Sequence, residues 1–110
     1  MDKKIVNLYD LMAEEPDKKG FRLLTEEQGC VKGCCAGIST YGDTEYGKGG
    51  VHDDQEGFFV LSGHGMVKLG EEEYPIKAGS AFMAPAGVFH TMKRDADSEP
   101  VQVFWFHSAI

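Results

Sequence analysis

Fourteen glycines, the first at position 20, cut this chain into pieces too short for ordinary helices. Between them lie FRLLTEEQ, CVKGCCAGIST, EGFFVLS, MVKLG, EEYPIKA, AFMA, VFHTMKR and VQVFWFHSA, segments of strand length rich in Phe, Val and Ile. Short apolar runs separated by turn residues predict an all-β domain, an antiparallel barrel or sandwich. The first twenty residues read differently. Val6, Leu8, Leu11 and Met12 fall loosely at helical spacing and Pro16 then stops the helix, so residues 1–20 are expected to form a short N-terminal helix or arm. Residues 21–110 are expected to form one domain, because a chain of 110 residues is long enough for one core and too short for two.

The last segment carries Val101, Val103, Trp105 and His107 on one face and Gln102, Phe104 and Phe106 on the other. Both faces are largely apolar, so this strand is expected to be covered on both sides, and a homodimer follows as one way to cover the outer one. A formal charge of −7 argues against nucleic acid as a partner, since such proteins concentrate Lys and Arg. No apolar run approaches the roughly 20 residues that span a bilayer, and acidic residues interrupt the N-terminus before a signal-peptide core can form. Three cysteines, Cys30, Cys34 and Cys35, are an odd set without paired C-x-x-C spacing. They read as small buried hydrophobes or oxidation-sensitive thiols of a cytoplasmic protein.

The stretch GGVHDDQEGFFVLSGHG, residues 49–65, sets His52 and Glu56 four apart ahead of an apolar run. The flanking glycines disfavour helix and FFVL favours strand, so the pair is expected to flank the start of a strand on which Glu56, Phe58 and Val60 share a face. A carboxylate aimed the same way as Phe and Val needs a partner, because burying an isolated charge is costly. A divalent metal would satisfy both His52 and Glu56.

These residues resemble the cupin family. Six residues separate Glu56 from Gly63, as in the first cupin motif, and His52 falls on the second histidine of that motif's His-x-His pair, while Gly50 stands where the first belongs. The second motif is nearly complete: Gly79, five residues, Pro85, one residue, Gly87, two residues and His90, with Arg94 in place of the usual terminal asparagine. The resemblance implies a double-stranded β-helix, or jelly-roll barrel, often dimeric, with a metal inside its mouth. Carried over by position, His52, Glu56 and His90 match ligands. Two imidazoles and one carboxylate form a set that suits non-haem iron and leaves coordination positions open, although Fe, Mn, Zn or Ni would each fit.

The position lost at Gly50 invites substitutes. His107 could approach the interior if it points inward with Trp105, or be an ordinary strand-end histidine; Asp54 shares parity with His52 and Glu56, or is a solvated loop residue. Arg94 shares parity with His90 and Met92 and could bind a substrate carboxylate or phosphate, or pair with an acidic residue at the rim. His64, between glycines, is expected in an exposed turn. The whole implies a metal-binding small-molecule cupin, an enzyme of isomerase, lyase or dioxygenase type. A barrel that binds or senses a small-molecule ligand without chemistry is the alternative.

Overall fold

The computed structural model describes residues 4–109. Asn7 sets the first boundary: its side-chain oxygen accepts from the N–H groups of Tyr9 and Asp10 and caps helix α1, Leu8–Glu14. The cap shortens the helix relative to the apolar spacing, leaving Val6 outside it. α1 buries none of its residues.

Eight strands follow: β1 (Gly20–Leu24), β2 (Cys35–Tyr41), β3 (Glu56–Ser62), β4 (His64–Leu69), β5 (Glu72–Lys77), β6 (Ala81–Ala84), β7 (His90–Arg94) and β8 (Val101–His107). Two expected segments are only partly strand. In FRLLTEEQ the second half is a 3-10 turn, Glu26–Gln28, because Thr25 accepts from the Glu27 N–H while the Gln28 side chain accepts from the Thr25 N–H. In CVKGCCAGIST the strand begins only at Cys35, after a turn with Lys32 at φ 55° and Gly33 at φ 85°.

All strand pairs are antiparallel and form two sheets, one ordered β1-β2-β8-β3-β6 and the other β5-β4-β7. This is the expected all-β jelly-roll barrel with a short N-terminal helix. Pro75 lies on β5, an edge strand, where a missing N–H costs no ladder bond toward a neighbour. Between the sheets the core collects Phe58 and Val60 of β3, Val67 of β4, Ile76 of β5, Met92 of β7 and Val101 and Val103 of β8. Alternation along β8 puts Val101 and Val103 on the inner face, the one the sequence groups with Trp105 and His107, and Trp105 packs against the same core.

Candidate metal centre

The barrel's inner face turns polar at one end. Glu56 opens β3 and its register partners are His107 on β8 and Ala84 on β6, so Glu56 and His107 are cross-strand neighbours on the same face. His90 opens β7. His52 sits in the loop before β3, and the backbone sets that loop against β7: Gly50 and His90 exchange N–H to carbonyl bonds of 3.0 Å, and the Gly87 N–H donates to the His52 carbonyl at 2.8 Å. Gly49, at φ 69°, makes this approach possible, since a Cβ there would lie 2.7 Å from the His90 carbonyl.

The three side chains converge as a result. His90 Nε2 lies 3.2 Å and His52 Nε2 3.4 Å from Glu56 Oε1, and one donor atom from each residue falls within 4.8 Å of the others. Glu56 and His90 are buried, with side chains 9% exposed, whereas His52 is 44% exposed at the cavity side. Close as the imidazoles are, none presents an aligned N–H: Glu56 Oε1 and His90 Nδ1 are buried without a hydrogen-bond partner among the described residues. A buried carboxylate oxygen left in that state costs free energy unless a cation meets it. Two imidazole nitrogens and a carboxylate oxygen are the donors that a first-row divalent metal takes, so the residues fit such an ion.

The cluster forms part of the wall of a cavity of about 620 Å³, within the range of sites for small organic ligands. Its wall includes Trp105, which alternation sets beside His107, and residues that the sequence did not single out: Lys19, Lys48 and Tyr41. Trp105 Nε1 donates to Ser39 Oγ at 2.9 Å, which fixes the indole against the same wall. Burial, with the nearby Glu56 carboxylate adding to it, pushes the Tyr41 phenol up to about 12. The parity that Ser39 and Tyr41 share on β2 is a signal in the sequence that could have marked Tyr41.

His107 and Asp54 also come to the cluster. His107 Nε2 is 3.5 Å from Glu56 Oε1, and its Nδ1 is 3.0 Å from each carboxylate oxygen of Asp54. That hydrogen bond holds the Asp54 carboxyl below the usual range. Asp54 is thus a half-buried partner rather than a solvated loop residue. Arg94 is not brought to the cluster. Its guanidinium donates to the backbone carbonyls of Gly42, Asp95, Ala96 and Ser98, at 2.7, 3.2, 3.3 and 3.1 Å, and ties the end of β7 to neighbouring loops.

His64 departs from the expected exposed turn. It opens β4, half-buried, with Nδ1 2.7 Å from Asp95 Oδ2, because Gly63 at φ 82° makes the turn instead. His64, Asp95 and Asp97 form a second group of potential ligands, but the His64–Asp95 hydrogen bond already accounts for that pair. The three cysteines are free and none is buried: Cys34 is exposed, and Cys30 and Cys35 are intermediate. The expectation of buried hydrophobes therefore fails, because residues 30–34 lie in a surface turn rather than in a strand.

A model of the cupin domain matches residues 42–107. Solved structures agree on the fold. TT1209 from Thermus thermophilus is 21% identical with a TM-score of 0.70, the match covering 98% of this chain and 100% of that one. A predicted oxalate decarboxylase from Thermotoga maritima is 17% identical over 83% of this chain and 79% of that one, with a TM-score of 0.71. The FeII form of HppE in complex with substrate is 16% identical with a TM-score of 0.67, and here the match covers 81% of this chain but only about half, 52%, of that one. At such identities the likeness is one of fold. A search of curated proteins found no match. The family model spans more than half of the 110 residues, including His52, Glu56, His90 and the cavity wall from Gly42 onward, and the chain belongs to the cupin family.

Proposed function

We propose that this cupin binds one divalent metal ion, of the Fe, Mn, Zn or Ni type, through His52, Glu56 and His90, and uses it for isomerase, lyase or dioxygenase chemistry on a small molecule. The observation that carries this reading is the buried, unpartnered Glu56 Oε1 with imidazole nitrogens 3.2 and 3.4 Å away beside a cavity of about 620 Å³. Bound there, such an ion supplies a Lewis acid or a site for oxygen activation. The protein's own residues do the rest. Trp105 and Met92 wall the cavity with apolar surface, and Lys19 and Lys48 offer cationic groups to an anionic substrate. The neutral Tyr41 phenol holds its proton at the wall and can donate a hydrogen bond there. Support for metal chemistry in this fold comes from the iron form of HppE, which is similar in fold.

The remaining expectations belong to the same proposal: a cytoplasmic protein, consistent with three free thiols, with a small-molecule ligand and neither nucleic acid nor membrane as partner. Among the described residues no helix is long and apolar enough to cross a membrane.

Metal analysis of protein purified without a histidine tag is the test. Near-stoichiometric metal in the wild type, lost in His90→Ala and reduced in His52→Ala, is the expected result. Metal at trace level and unchanged by either substitution would sink the proposal. Iron would direct the search to oxygen-dependent turnover, zinc or manganese to isomerase or lyase substrates. Saturable thermal stabilisation by a metabolite without turnover would instead establish the binding or sensing barrel.

A further inference from the structure

Three imidazole nitrogens, not two, surround the orphaned carboxylate oxygen. His90, His52 and His107 place Nε2 at 3.2, 3.4 and 3.5 Å from Glu56 Oε1. Adjacent donors around an ion with bonds of about 2.1 Å stand about 3.0–3.4 Å apart, so the His90 and His52 spacings match neighbours in one coordination shell and the His107 spacing lies about 0.1 Å beyond it. His107 falls outside the set in which every donor is within 4.8 Å of every other, and joins the cluster through Glu56.

The state of the His107 ring is fixed from behind. Asp54 meets Nδ1 with both oxygens at 3.0 Å, and a carboxylate can only accept, so Nδ1 carries the proton. In the neutral ring Nε2 is then a lone pair, and it faces the oxygen of Glu56. A lone pair set against a buried carboxylate is repulsive unless a cation lies between them. Carboxylate, imidazole and metal in series is a recurrent arrangement in which the carboxylate orients the ligand and raises its basicity.

The sequence supplies the complementary gap. A Cβ built on Gly50 would lie 3.5 Å from His52 Nε2, so a side chain at position 50 would enter the cluster, and this chain has none. We infer that His107, held by Asp54, is the fourth metal ligand, so that β8 contributes the donor that Gly50 does not. The inference rests on the metal-binding reading above. Asp54 acts through His107 and is a positioning residue. The ligand set becomes three imidazoles and one carboxylate, leaving two positions of an octahedral ion for a substrate that binds through two oxygens.

The test uses the full chain, first stripped with chelator and then loaded with Zn²⁺ for affinity by chelator competition, or with Co²⁺ for visible absorption. His107→Ala and His107→Gln are expected to weaken Zn²⁺ binding at least 10- to 100-fold and to change the Co²⁺ spectrum, and Asp54→Asn to weaken it about tenfold. Melting of the metal-free variants guards against misfolding, with His107→Gln carrying the test should His107→Ala fail to fold. Wild-type affinity and an unchanged Co²⁺ spectrum in His107→Gln, with binding lost in His90→Ala, would overturn the fourth ligand and leave the three-ligand site standing. Equal, negligible binding by wild type and His90→Ala would overturn both.

Discussion

Tyr41 shows at the scale of one residue how the site marks its surroundings. Its phenol is pushed up to about 12, first by burial and then by Glu56, from an ordinary value near 10. Because the folded value lies above the unfolded one, the stabilisation is fully present below about pH 10 and is lost as pH rises through about 12. Metal-free protein should therefore lose on the order of 2 kcal/mol between these limits, and Tyr41→Phe should flatten that decline in chemical denaturation. An unchanged alkaline slope in the variant would contradict the burial of the phenol. Arg94 makes a structural counterpart. Its guanidinium serves four backbone carbonyls, so Arg94→Ala is expected to cost about 2 kcal/mol in urea unfolding, and Arg94→Lys to recover little, because an ammonium cannot reproduce the fork. At this scale the sequence was informative where chemistry is local. The convergence of His52, Glu56 and His90 was legible from motif spacing, although His52 stands in a loop where strand parity does not apply. The link from His107 to Asp54 was not, because it depends on pairing Glu56 with His107 across two strands 51 positions apart and on a loop folding back. Arg94 was misleading for a related reason: parity says which face a residue leaves from, not where a long side chain ends.

Strands carry the site, and their spacing is set by glycine at close approaches. Gly65 on β4 faces Arg94 on β7, and a Cβ there would overlap the Lys93 carbonyl, a backbone atom that cannot turn aside. Gly65→Ala must therefore push β4 from β7, whose first residue is His90. The expected cost is about 3 kcal/mol by denaturant unfolding, together with weaker metal binding, although position 65 lies at the opposite end of the β4–β7 ladder from His90. Loss of stability without any change in metal affinity would show that β7 is held independently of β4. A gentler outcome is expected for Gly57, where the obstructing atoms belong to the Phe106 ring and can move. The element boundaries repeat this contrast. Alternation made EGFFVLS and VQVFWFH readable as strands, since their inward residues build the core. It failed at residues 25–34, where a capping box and a turn through Lys32 and Gly33 override the apolar content of the segment.

Taken whole, the barrel has two unlike faces on its larger sheet. The inner face of β3 and β8 closes over the core and ends at the candidate metal cluster; the outer face leaves Phe59 45%, Leu61 42% and Phe106 39% exposed. Register puts them together: Gly57 pairs with both Phe106 and Met83, and Phe59 with Phe104, so these side chains leave the sheet on one side as a contiguous patch. Aromatic and aliphatic surface of this kind on a protein of net charge −7 is best covered by a like surface, since a two-fold axis through the patch matches apolar area to apolar area. A homodimer is therefore the proposed assembly. Sedimentation equilibrium should give about twice the mass of the 12.1 kDa chain, and Phe106→Asp, or Phe59→Asp where the first is insufficient, should give the monomer. Because the patch and the candidate metal cluster lie on opposite faces of the same strands, the monomeric variants should keep wild-type Zn²⁺ affinity. A monomeric wild type would refute the dimer. Loss of metal along with the interface would show instead that pairing of the outer face is what holds β8, and with it His107, against Glu56.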